Sequence, residues 1–163
     1  MKTAAFFGGA LPTKDTQEYE DSVKIGEILA KKGYIVKNGG YYGLMEAVSI
    51  GSGNAIGYVC ESFKSTEGNP YLAEKVVCAD IYDRLRLLIE DTSLFIVQKG
   101  GLGTLAELFL CLDLMRKRKK KRPVILIGSF WWEIIFPIRE LLNMGEEELI
   151  TIIDSIDELN ELI

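Results

Sequence analysis

The sequence predicts an α/β protein, doubly wound, with a mostly parallel sheet and helices on both faces. Two observations carry this. Short apolar runs alternate with longer helical patterns along the whole chain, and several of the apolar runs end in glycine turns that open a helix. A length of 163 residues, 48% of them hydrophobic, suits a single domain over residues 1–163 with a substantial core. No linker, repeat or low-complexity tract divides it.

Taken in order, Thr3 to Phe7 is the first strand and runs into Gly8-Gly9. From Asp15 to Lys32, Tyr19, Val23, Gly26 and Ala30 recur at helical spacing, and Gly33 supplies the stop. Tyr34 to Lys37 is a strand ended by Asn38-Gly39-Gly40, a short helix follows from Leu44 to about Ile50, and Ala55 to Cys60 is the third strand. Glu61 to Pro70 is polar and reads as a loop, and loops of that length at a strand end often touch ligand. Lys75 to Cys78 is a brief strand, Ile81 to Glu90 a helix and Ser93 to Val97 a strongly apolar strand. A glycine turn at residues 100–103 then opens a helix from Thr104 to about Lys119. Val124 to Ile127, Trp131 to Leu142, Ile150 to Ile153 and Ser155 to Leu162 complete the alternation as strand, helix, strand and helix.

Composition restricts the chemistry. Without a histidine, the chain has no imidazole to serve as base, proton shuttle or metal ligand, which excludes Ser-His-Asp triads, Cys-His dyads and His-based zinc sites. Cys60, Cys78 and Cys111 are widely spaced and form no C-x-x-C pair, so they read as buried thiols in a reducing cytoplasm, with no metal site. The absence of a signal peptide pattern and of a membrane-length apolar stretch predicts a soluble cytoplasmic protein with no membrane partner. A net charge of −5 argues against nucleic acid as partner. That sum conceals two poles: an uninterrupted basic run from Arg116 to Arg122, and eight carboxylates between Glu140 and Glu161. The basic run complements a helix C-terminus as a solvated end, or docks an acidic surface such as the tail of a second subunit.

The chemistry concentrates in the glycine turns. Gly100-Gly101-Leu102-Gly103-Thr104 lies between a buried strand and a helix start, where small residues let an anion approach unpaired N–H groups. A tight strand-to-helix turn also needs glycine for conformation alone. Asn38-Gly39-Gly40-Tyr41-Tyr42-Gly43 and Gly8-Gly9 stand at equivalent strand ends, however, and a doubly wound sheet gathers such turns on its carboxyl edge. Together they predict a phosphate- or nucleotide-sized cleft lined by Gly8, Gly9, Gly39, Gly40, Gly43, Gly100, Gly101, Gly103 and Thr104.

The helix that follows is apolar at nine of twelve positions from Thr104 to Met115, all around its circumference, which predicts burial in the core or in a subunit interface. Glu107 either serves the helix dipole or projects into the cleft as an acid or base. Arg84 either pairs with Asp80 on the surface of its own helix or faces the cleft, and Arg86 pairs with Glu90.

Phe7-Gly8-Gly9, Gly39-Gly40-x-x-Gly43-Leu44-Met45, Arg84 and Gly100-Gly101-x-Gly103-Thr104-x-x-Glu107 together resemble the Lonely Guy (LOG) family and its relatives, often labelled "possible lysine decarboxylase". In that family an M-x-x-R-K arginine precedes a P-G-G-x-G-T-x-x-E turn by sixteen residues, the separation of Arg84 from Gly100 here. The resemblance covers about residues 3–128. It implies a Rossmann-like fold, a homodimer, and hydrolysis of the N-glycosidic bond of a nucleoside 5′-monophosphate without cofactor. Glu107 and Arg84 would be the catalytic residues, and the glycine turn would hold the phosphate. Three positions depart from the pattern. Lys99 replaces the proline and adds a cation at the phosphate turn, Leu85 replaces the lysine after the arginine, and Glu46 replaces the glycine after Gly-Leu-Met. The same superfamily contains non-catalytic nucleotide- or molybdenum-cofactor-binding proteins, a second implied reading.

Overall fold

A computed structural model of the chain describes residues 2–118, 121–142 and 150–163. Its strands are β1 (Lys2–Phe7), β2 (Tyr34–Asn38), β3 (Ile56–Cys60), β4 (Glu74–Cys78), β5 (Leu94–Val97), β6 (Val124–Ile127) and β7 (Ile150–Ile153). The helices are α1 (Gln17–Lys31), α2 (Leu44–Ser52), α3 (Ile81–Ile89), α4 (Leu102–Arg118), α5 (Phe130–Leu142) and α6 (Ile156–Leu162). All seven strands pair in parallel, in the order β4-β3-β2-β1-β5-β6-β7. The fold is Rossmann-like.

Alternation along each strand divides the core in two. Ala4, Phe6, Leu94, Ile96, Ile125 and Ile127 face α1, α2 and α6 on one side. Ala5, Phe7, Phe95, Val97, Val124 and Leu126 face α3, α4 and α5 on the other. Central strands buried on both faces need apolar side chains at every position, which is why β5 and β6 read LFIV and VILI. Each fully buried Phe, Leu or Ile contributes roughly 1.5–3 kcal/mol.

The chain leaves β1 toward β2 and leaves β5 toward β6, so the strand order reverses between β1 and β5. Loops after these two strands diverge there and open a crevice at the carboxyl edge. They are joined at their bases, where Gly9 N–H donates to Lys99 O at 3.0 Å and Gln98 N–H to Phe7 O at 2.9 Å.

Three expectations change in detail. Helix α4 begins at Leu102 rather than Thr104, since Gly101 O already accepts from Leu105 N–H. Glu107 therefore stands beyond the first turn, and a dipole role loses its basis. Arg84 does not pair with Asp80, whose carboxylate instead caps α3 through Asp83 N–H. The helix-end basic run also divides. Arg116 and Lys117 meet Asp113 at the surface, whereas Arg122 turns inward, donating to Ile89 O and lying over the Phe95 ring. Lys119 and Lys120, like Glu146, Glu147 and Glu148 of the acidic segment, lie outside the described residues. Arg86 pairs with Glu90 as expected, and also with Asp83.

Candidate functional site

A cleft of about 840 Å³ opens at the crevice between β1 and β5. Its walls include Gly8 and Gly9 after β1, Lys99, Gly100, Gly101, Gly103 and Thr104 after β5, Arg84 from α3 and Glu107 from α4. Gly101 and Gly103 have open space where a side chain would stand, so the backbone at the start of α4 is bare to the cleft. Gly100 is packed instead: a methyl group there would stand on the Thr104 side chain and against Gly9 N. The N–H groups of Gly101 to Thr104 precede the first α4 hydrogen bond, from Leu105 N–H to Gly101 O, and they sit at the positive end of the helix dipole.

Arg84 and Glu107 form the charged centre. Arg84 is 6% exposed. Its Nε donates to Tyr58 O at 2.7 Å and its Nη1 to Glu107 Oε1 at 3.2 Å, so the guanidinium is fixed from two sides. The Glu107 side chain is 12% exposed. Burial pushes its carboxyl above the usual carboxylate range, and the Arg84 charge and hydrogen bond oppose that rise without cancelling it. A raised carboxyl in a cleft, held by a fixed cation, is suited to exchanging a proton with a bound molecule or water.

Gly39, Gly40 and Gly43, expected at a phosphate or nucleotide site, are not among the residues that line this cleft and stand behind its wall. A side chain at residue 39 would collide with Arg84 Nη2 and Met45 Sδ, so glycine leaves the guanidinium its room. Gly40 O accepts from Asn69 N–H at 2.8 Å. Gly43 precedes the first residue of α2, whose Leu44 N–H donates to Gly9 O at 2.9 Å. The second glycine turn thus positions the site through Arg84 and the β1 loop. Gly39→Ala is expected to keep the protein folded at a cost of about 1–3 kcal/mol, while displacing Arg84. Urea unfolding measures the first effect, and turnover in the hydrolysis proposed below is expected to fall by at least about tenfold, some 1.4 kcal/mol of barrier.

The departures from the family pattern also find places. Glu46 accepts from Tyr19 Oη at 2.9 Å, which ties α2 to α1; burial, and after it this bond, push the Tyr19 phenol pKa up. Leu85 forms an apolar part of the cleft wall. Lys99 is mostly exposed, 4.0 Å from Glu18 and over the Phe130 ring.

Several contributors escaped the sequence reading. Phe63, on the loop after β3, lines the cleft with its ring over the Arg84 guanidinium at 5.6 Å. Lys37, buried in β2, donates to Leu87 O and Glu90 O at the end of α3. Arg122 does the same for Ile89 O, so two cations complete the helix that carries Arg84. A lysine within the apolar run Tyr34-Ile35-Val36-Lys37 was the available signal. Cys60, Cys78 and Cys111 are buried free thiols, and burial pushes Cys111 up to about 12.

A glycine-lined crevice at the switch point of a parallel, doubly wound sheet defines a Rossmann-like protein. The model of the family described as "Possible lysine decarboxylase" matches residues 30–163, and the chain belongs to that family. It is 27% identical over 117 residues to an uncharacterised protein of Archaeoglobus fulgidus, covering 70% of this chain and 78% of that one. The solved structure of the structural-genomics target TM1055 superposes with a TM-score of 0.75 at 27% identity, over 100% of both chains. The molybdenum cofactor binding protein of Rippkaea orientalis superposes with a TM-score of 0.76 over 99% of this chain and 95% of that one; its 22% identity shows the shared fold. No helix among the described residues is long and apolar enough to cross a membrane.

Proposed function

We propose that the protein hydrolyses the N-glycosidic bond of a nucleoside 5′-monophosphate, releasing the free base and ribose 5-phosphate. The observation that carries this reading is the Arg84–Glu107 pair, buried in the cleft wall just beyond the first turn of α4, whose start is bare. The phosphate would take the N–H groups around Gly101 to Thr104, with Lys99 as an additional cation. As the C1′–N bond breaks, its electron pair leaves with the base and positive charge builds on the ribose. Glu107 stabilises that charge and accepts a proton from the water that adds to C1′; the departing base nitrogen takes up a proton from solvent, and Glu107 then returns its own to solvent. Arg84 orients the carboxylate and holds a substrate hydroxyl or phosphate oxygen.

Lysine decarboxylation, named in the family description, finds no matching residues. It requires pyridoxal phosphate on a lysine Schiff base with partners for the ring nitrogen. Lys99 is the lysine at the cleft among the described residues, and it lies exposed in the anion-binding turn.

A second reading is a binding protein that does not turn over its ligand. The volume of about 840 Å³ favours it, because that space accommodates a ligand larger than a mononucleotide. The similarity to a molybdenum cofactor binding protein suggests a phosphorylated pterin as one such cargo. Incubation of the purified protein with a panel of nucleoside monophosphates, detecting ribose 5-phosphate, separates the two. Release of ribose 5-phosphate supports hydrolysis, and a ligand that copurifies unchanged with no turnover supports the carrier.

The active unit in this reading is a homodimer in the cytoplasm. A shallow apolar groove between α3 and α4, with Tyr82 79% exposed beside Leu85, Leu110 and Leu114, supports an interface there. Sedimentation is expected to give about twice the chain mass of 18.3 kDa, and a concentration-independent monomer would contradict it.

A further inference from the structure

The geometry points to Phe63 as an aromatic platform that stacks the base of the nucleotide, so that the base is selected by its flat face more than by its hydrogen-bonding edge. This rests on the nucleotide reading above and deepens it. Three groups follow one another along the cleft. The bare backbone of the α4 start comes first, and Glu107 lies one helical turn beyond Thr104. Arg84 is 3.2 Å from Glu107, and the Phe63 ring is 5.6 Å from the Arg84 guanidinium. Anion site, acid–base pair and aromatic ring thus stand in the order of phosphate, ribose carbon C1′ and base. The strand order agrees, since β3, which leads to Phe63, lies three strand intervals from β5, about 14 Å at the usual spacing.

Phe63 is 41% exposed, so part of its ring is open to the cleft that it lines. Its loop is anchored by Asn69, which is 4% exposed and donates to Gly40 O and Tyr41 O. Tyr41 adds a second anchor: its hydroxyl donates to Ser65 O, accepts from Cys60 N–H, and its ring packs 5.9 Å from that of Phe63. A preorganised aromatic face loses little entropy when a base stacks on it. The same cleft is also lined by the apolar Met45, Ile81 and Leu85. The second glycine turn therefore serves the base end as well, because Gly40 and Tyr41 carry the anchors of the Phe63 loop.

The test is titration calorimetry with AMP and with ribose 5-phosphate, on a Glu107→Gln background so that the ligand survives. Adding Phe63→Ala is expected to weaken AMP by about tenfold or more and to leave ribose 5-phosphate within about twofold. Phe63→Trp is expected to restore AMP affinity. Unchanged AMP affinity in Phe63→Ala, or equal loss of both ligands, overturns the platform while hydrolysis by the wild type still stands or falls on ribose 5-phosphate release. A protein that binds neither ligand overturns the platform and the nucleotide reading together.

Discussion

Glu107→Gln is expected to lower turnover of the proposed nucleotide hydrolysis by about 10²–10⁴-fold while leaving the protein folded. Glutamine has the size and acceptor oxygen to keep the 3.2 Å hydrogen bond from Arg84 Nη1, but it cannot take a proton from water. The stability change has a defined sign. Burial raises the Glu107 carboxyl above its value in the unfolded chain, so the native state holds the proton more tightly. The stability linked to that proton is fully present below the unfolded value and is lost as pH rises through the raised one. Glutamine never ionises and escapes this loss. The urea midpoint of Glu107→Gln relative to wild type is therefore expected to improve from acid to neutral pH. Full nucleotide hydrolysis by Glu107→Gln would remove the carboxylate from the mechanism.

Much of the fold and part of the site were legible in the sequence, and the reasons differ from element to element. The runs at Leu94–Val97 and Val124–Ile127 admit no polar residue because they are central and covered on both sides, so their parallel setting is written in composition. The turn from Gly100 to Thr104 was legible because its spacing to Glu107 and Arg84 is chemical as well as conformational. The roles of Gly39, Gly40 and Gly43 were not, since a glycine that admits a ligand and one that admits a neighbouring side chain look alike in sequence. Only the position of Arg84 against Gly39 separates these cases. Phe63 was hidden for a related reason. A single aromatic in a polar loop carries no period, and its place over Arg84 depends on Asn69 and Tyr41, which reach it across the chain fold. The missing histidine proved informative in another way. In the proposed reaction it leaves proton transfer to a carboxylate, and Glu107 lines the cleft with its carboxyl pushed upward by burial.

Replacing Arg84 tests the pair from its other member. Arg84→Ala is expected to cost roughly 10²–10³-fold in turnover, the scale of removing one preorganised electrostatic contact from a dry site. It also removes both influences that hold the Glu107 carboxyl down, the charge and the hydrogen bond, while the burial that raises it remains. Since the proposed hydrolysis uses Glu107 as the carboxylate, its rate is expected to fall as pH drops through the Glu107 pKa. The acid limb of kcat/KM is therefore expected above the ordinary carboxylate range in the wild type and at still higher pH in Arg84→Ala. Stability falls as well, because Tyr58 O loses its buried donor, a loss of about 1–3 kcal/mol. Arg84→Lys separates charge from geometry. Its ammonium keeps the cation near Glu107 but lacks the fork that reaches Tyr58 O and Glu107 at once. The limb is expected to return most of the way toward wild type while turnover does not. If Arg84 only braced the fold, both variants would lose stability with the acid limb unmoved, and Glu107 would have to draw its ionisation from elsewhere in the cleft.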